Sequence, residues 1–225
     1  MTIDLNGKEL RAAVNKALVG LLTLNAAVEV TIKDSKTGGK IINEHALNGQ
    51  MRGISIDKAG AILNIQSGTI RVNNTGQYAS AANATLGVAQ YSACTARGIY
   101  QNANTTVNIS GGRIEAVGTR EVYGIVEESS AANTTYLNIT GGEIYAEAPA
   151  YAYGICAFGK LNISGGTINT HINTNMVNAY YAADNANNAN NGYGYGIFVQ
   201  TKAYATPSTC YAGTLTMTGG TVNVV

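Results

Sequence analysis

The acidic residues and histidines of this chain are spread too thinly for most metal or nucleophilic chemistry. Aspartate occurs at Asp4, Asp34, Asp57 and Asp184, none of them in the middle of the chain. His45 and His171 are solitary, and no metal-ligand pair or nucleophile elbow accompanies either. Glutamates come closer to a reactive arrangement. Glu127 beside Glu128, or Glu115 with Glu147, supplies the two carboxyl groups that a glycosidase uses as acid and base. Glu127 and Glu128 fall in an extra turn before "TTYLNI" and read as solvated loop residues. Two glycine-rich phrases imitate phosphate sites without completing them. In "GICAFGKL" a leucine, Leu161, stands where a P-loop needs Ser or Thr for magnesium, and "GYGYG" at Gly192 precedes a strand-like phrase rather than a helix. Neither motif implies a nucleotide, and no cofactor is expected.

Composition narrows the partners. Charged residues are 12% of the chain and the net charge is +1, so neither the electrostatic footprint of a nucleic-acid binder nor a basic membrane-facing patch is present. No apolar run approaches the roughly 20 residues that span a bilayer, so no membrane insertion is expected. Tyrosine, at 14 copies, replaces tryptophan, which is absent, and phenylalanine, which occurs at Phe158 and Phe198. Three cysteines, Cys94, Cys156 and Cys210, have no CxxC spacing and an odd count, which argues against a zinc site and leaves at least one thiol free.

The elements that must hold these residues are announced by repetition. "LNIQSGTI" begins at Leu63, "VNISGGRI" at Val107, "LNITGGEI" at Leu137, "LNISGGTI" at Leu161 and "LTMTGGTV" at Leu215. The steps between them are 44, 30, 24 and 54 residues, and the shortest is the bare repeat. A second phrase recurs inside the units: "RGIS" at Arg52, "RGIY" at Arg97, "YGIV" at Tyr123, "YGIC" at Tyr153 and "YGIF" at Tyr195. Each unit thus holds three short segments with alternating apolar residues and a β-branched bias, which are strand signals; helical i, i+3, i+4 spacing is missing from them. A unit of about 24 residues with three strands and three turns is one coil of a parallel β-helix. The paired glycines occupy the bend between the first and second strands, where a Cβ would meet the neighbouring coils.

"LNISGG", "LNITGG" and "YGI", with the N-terminal segment "TIDLNGKEL…LTLNAAVEVTIKDSKTGGKI", resemble the right-handed parallel β-helices of the pectate-lyase-like group, in particular surface-protein versions from gut and cellulolytic bacteria. The resemblance spans nearly the whole chain and implies an all-β, right-handed solenoid. With no linker dividing it, the chain is expected to be a single domain over 1–225, with first coils or an N-terminal cap over 1–58 and repeat coils over 59–225, and its strand-like ends "TIDLNG" and "TVNVV" read as those of a domain cut from a larger protein. Within the first coils the resemblance favours a strand at Leu21 to Leu24, while Lys8 to Val14 stays open between loop and capping helix. "VTIKDS" at Val30 reads as the coil before "LNIQSG". The enzymes of this group need clustered aspartates, with calcium and an arginine base or as a catalytic trio, and those residues are missing here.

Alternation sorts the outward rows. Asn64, Asn108, Asn138, Asn162 and Thr216 stack on the first strand, where amides about 4.8 Å apart can hydrogen-bond along the pile. On the second strand, Arg71 faces Glu115 and Arg113 faces Glu143 across neighbouring coils. On the third, Tyr100, Val126, Cys156 and Phe198 make an outward apolar stripe, which is either covered by the chain's own loops or used for binding. From the Ile of "GGxI" to the Ile of "YGI" the distance is 11 residues in the middle coils and 29 in the flanking ones. Two long insertions, within Arg71 to Ala96 and Asn169 to Gly194, therefore leave one corner two coils apart and wall a notch about 10 Å wide. Whether they fold over the stripe or leave a groove, the notch floor is expected to hold Glu115, Tyr123, Tyr145, Glu147, Tyr151 and Tyr153. The expected function is a non-catalytic adhesive or glycan-binding domain outside a bacterial cell. Its partner would be a polysaccharide or host-surface ligand. A purely structural stalk and a glutamate-dependent polysaccharide lyase or hydrolase are the alternatives.

Overall fold

The structure, a computed structural model, describes residues 1–13, 20–47, 49–76, 94–102, 104–128, 135–173, 192–203 and 210–225. The bodies of both long insertions, 77–93 and 174–191, lie outside that set, as does Val14. Three parallel sheets run the length of the molecule as a right-handed parallel β-helix. The first has seven strands from Thr2–Asp4 to Thr214–Met217, the second seven from Glu9–Arg11 to Thr221–Val224, and the third six from Gly20–Leu24 to Tyr193–Val199. No helix occurs among the described residues, so the segment left open between loop and helix is a strand at Glu9–Arg11.

The register follows the repeat. Leu63, Val107, Leu137, Leu161 and Leu215 are paired Cα to Cα through the first sheet, and Val30 pairs with Leu63 as the preceding coil. Ile70, Ile114, Ile144, Ile168 and Val222 align on the second sheet, and Ile54, Ile99, Ile125, Ile155 and Ile197 on the third. The leucines, valine and isoleucines of the middle coils are buried in one continuous apolar core. A pleated strand turns alternate side chains to one face, so a repeat of constant register delivers one apolar row per sheet to the axis.

Two glycine rows shape the cross-section. At the corner between first and second sheets, Gly112, Gly142, Gly166 and Gly220 have φ of +81°, +84°, +87° and +89°, a region side-chain-bearing residues rarely adopt. A Cβ on the preceding Gly141 would lie 2.5 Å from the Ser110 carbonyl oxygen of the coil before. In the third strand, Gly98 and Gly124 face inward: a Cβ there would lie 2.5 Å from Cγ2 of Ile114 and of Ile144 respectively. The "YGI" glycine is the socket that receives the second sheet's isoleucine, which explains why the phrase recurs.

Candidate functional site

The outer face of the first sheet is a one-way amide ladder. Glu29 accepts from Asn64 Nδ2 at 2.7 Å, and Asn108, Asn138 and Asn162 each donate Nδ2 to the preceding Asn Oδ1 at 2.8 Å. A carboxylate only accepts, so Glu29 fixes the direction of every amide above it. This row holds coils in register.

On the second sheet the outward rows form a zigzag of charge. Arg71 bridges Glu44 at 2.6 Å and Glu115 at 2.8 Å, while Arg113 reaches Glu115 at 3.2 Å and also pairs with Glu143. Both pairs read from the repeat are therefore made. Tyr145 hydrogen-bonds Glu147 and lies with its ring centroid 5.0 Å from the Arg113 guanidinium carbon. Glu147 also accepts from Asn173 Nδ2 at 2.6 Å and stands 3.7 Å from His171. Burial pushes the Glu147 carboxyl up, but the Asn173 and Tyr145 hydrogen bonds and the His171 charge outweigh it, leaving the group below its ordinary value. Burial, with the hydrogen bond and charge of Glu147, pushes the Tyr145 phenol up. A carboxyl held in the charged form is unsuited to donate a proton as a general acid, and Glu115 lies between two arginines.

The third sheet is different. Glu121, Tyr151 and Tyr193 align in one outward row, and Arg52, Arg97, Tyr123, Tyr153 and Tyr195 in the next. Ring centroids are 4.7 Å apart for Tyr123 and Tyr153, 5.1 Å for Tyr153 and Tyr195, and 5.6 Å for Tyr151 and Tyr193, with each pair of ring planes nearly parallel. Strand spacing close to the thickness needed for ring stacking produces these columns directly. Phe198 lies against Tyr195 at 5.0 Å, tilted. At the opposite end Arg52 places its guanidinium 3.5 Å from the Tyr100 ring centroid. Tyr123 donates to Glu121 at 2.6 Å, and burial followed by the Glu121 charge drives its phenol far above the ordinary value. The Tyr153 phenol is pushed up to about 12 by burial and then by Glu121. Of the foreseen outward stripe, Tyr100, Val126 and Cys156 are only 8%, 3% and 3% exposed while Phe198 is half-buried, and they cluster with Tyr123, Tyr153 and Phe158.

The foreseen notch residues thus fall into two groups: Glu115, Tyr145 and Glu147 in the polar network of the second sheet, and Tyr123, Tyr151 and Tyr153 in the aromatic columns of the third. Sequence reasoning missed Arg52 and Arg97, although "RGI" in place of "YGI" was the signal that arginine starts the column. It also misplaced Glu127. That residue is not in a solvated turn but near the end of the strand Glu121–Glu128, fully buried, accepting the Phe158 and Gly159 N–H groups at 2.9 and 2.7 Å. The reason is local. The next coil makes a tight corner at Phe158–Gly159, and the carboxyl satisfies its orphan donors. The Glu128 side chain lies outside the described residues.

Asp4 and Asp34 also cap corners: Asp34 accepts from Gly7 and Gly39 N–H, both at 2.7 Å. No group of His, Cys, Asp and Glu that could hold a metal occurs among the described residues. Fold and site together define a parallel β-solenoid with an amide ladder on one outer face and an aromatic array on another. Comparison with protein families, curated proteins and solved structures finds no match.

Proposed function

We propose that this chain is a non-catalytic, rigid segment of a bacterial surface protein. In this reading it binds polysaccharide through the tyrosine-rich outer face of its third sheet, as the surface-protein members of the pectate-lyase-like group suggest. The observation that carries the reading is the outward tyrosine array. Within the columns the ring faces stack on each other, so the array offers ring edges and phenol hydroxyls along its length. Tyr193, at the end of its column and 45% exposed, offers ring surface. Sugar rings pack on such surface through their C–H faces while amide and hydroxyl side chains meet the sugar hydroxyls.

The test is NMR titration of the protein with a panel of plant, pectic and host glycans. Binding should perturb residues around Tyr151, Tyr193 and Tyr195, and Tyr193→Ala should weaken it about tenfold. Unchanged shifts across the panel would favour the second reading, a purely structural stalk, which the burial of Tyr100, Val126 and Cys156 supports. Turnover of any panel member that is lost in Glu115→Gln or Glu147→Gln would establish an enzyme instead.

A further inference from the structure

Gln101 and Glu127 are an anomaly in the core. They are Cα partners on adjacent strands of the third sheet, in the inward row that continues to Ile56 on one side, and Glu127 is followed by Ala157 at the next inward corner position. Both side chains are fully buried. Each uses one end fully. Gln101 Nε2 donates to the carbonyls of Thr105 at 3.2 Å and Tyr136 at 3.0 Å, and Glu127 Oε2 takes the two N–H groups at the Phe158–Gly159 corner. The other end of each is an oxygen with no partner among the described residues: Gln101 Oε1 and Glu127 Oε1.

Two buried acceptors on adjoining strands, about 4.8 Å apart at the backbone, leave both deficient by one hydrogen. Gln101 cannot rotate its amide to supply it, because its Nε2 is committed to two carbonyls. A charged Glu127 would also be a buried anion with no counter-ion. Among the described residues, Glu127 pairs with Gln101 across the sheet and accepts from the Phe158–Gly159 backbone, and the same corner holds the buried Thr105, whose carbonyl takes the Gln101 amide, and Thr135, beside Gly159. None of these neighbours is charged or titratable. Tyr136 and Lys160, the titratable side chains of the adjoining first-sheet strands, meet each other at the surface at 3.5 Å.

We propose that Glu127 is held as the neutral acid and donates its proton to Gln101 Oε1, making the pair a proton-operated latch on the corner between the third and first sheets. The proton satisfies both orphan oxygens at once, and its loss to solvent leaves an uncompensated carboxylate against an acceptor. Consistent with this, burial raises the Glu127 carboxyl from 4.5 to about 7, against the pull of the Gly159 and Phe158 N–H groups. The folded state then keeps a proton that the unfolded chain has released. The stabilisation from this corner is complete below pH 4.5, is lost as pH rises from there through about 7, and is absent above.

Carbon-13 NMR of glutamate-labelled protein tests it. One Glu Cδ resonance should titrate near pH 7 while the exposed glutamates titrate around pH 4, and Gln101→Met should lower that midpoint by removing the acceptor. Glu127→Gln, which keeps both hydrogen bonds without a titrating group, should match the wild-type Tm at pH 4.5 and exceed it by several degrees at pH 8. Two results would overturn the latch: every glutamate titrating in the ordinary range, or a midpoint indifferent to Gln101→Met. The first two measurements do not depend on the Glu127→Gln variant folding.

Discussion

The outer faces of the first and third sheets rest on the same kind of inward apolar rows, yet one carries asparagine amides and the other tyrosine rings and arginines. On the first sheet each amide donates one hydrogen bond along the axis, Asn64, Asn108 and Asn138 also accept one, and the stack remains wet and polar. On the third, rings stack at 4.7 to 5.6 Å and the neighbouring row of Tyr100, Val126 and Cys156 is sealed from solvent. A solenoid repeats its outward rows at the strand spacing whatever their chemistry, so any side chain that interacts well with a copy of itself becomes a ladder. The inward rows decide the fold, and the outward rows are free to become register marks or surfaces.

The largest way to disturb the comparison is to remove the frame common to both faces. Ile144→Ala should cost about 2–5 kcal/mol in urea denaturation, with both faces lost in one transition. Two separate transitions would mean that the sheets do not share a core. Gly124→Ala should cost about 1–3 kcal/mol, because the new methyl meets Ile144 Cγ2 at 2.5 Å and the Gly154 carbonyl oxygen at 2.6 Å. Between the faces, Asn138→Ala, which cuts the amide ladder at its middle, should cost about 1 kcal/mol. Asn138→Asp sets a carboxylate against Asn108 Oδ1 and should be worse than alanine at neutral pH but recover on acidification. The smallest effect is expected from Arg113→Gln on the second sheet. Its partly exposed ion pairs are worth under about 1 kcal/mol, and the difference should fade in high salt.

Two glutamates sharpen the contrast between surface and interior through pH. Glu147 is held in its charged form, so its contribution is present above its unfolded value of 4.5 and is lost as acid protonates it. Comparing Tm for wild type and Glu147→Gln between pH 3 and 6 should show the wild-type advantage shrinking as pH falls. Glu127, buried with an unpartnered oxygen, runs the opposite way. One residue type contributes opposite slopes because hydrogen bonds and the His171 charge outweigh burial at partly buried Glu147, whereas full burial outweighs two N–H donors at Glu127.

Much of this molecule was legible from its residues. The spacing of "LNISGG" and "YGI", the strand at Leu21 to Leu24, the asparagine row and the Arg71–Glu115 and Arg113–Glu143 pairs all follow from alternation and a repeat held in register. Period-2 geometry decides which residues share a row on the first two sheets, whereas on the third the "YGI" glycine interrupts it, so that Val122 and Ile125, three residues apart, both face the core. The candidate site was legible only in part. Glu127 looked like a loop residue because the sequence shows an extra turn after it. What buries it is the tight Phe158–Gly159 corner of the following coil, a neighbour 31 residues away for the Phe158 contact.

The sequence by itself determined which residues stack on one another, and on the first two sheets which face the axis, since both depend on a constant repeat and local alternation. Only the tertiary structure decided what those outward rows touch. It set Tyr100, Val126 and Cys156 of the third-sheet stripe out of solvent while leaving Phe198 half-buried, turned the "YGI" glycine into a socket for an isoleucine of the second sheet, and placed Glu127 against Gln101. Such contacts depend on how coils close around the axis and where corners fall, and separations of this kind carry no period for a linear reading to detect.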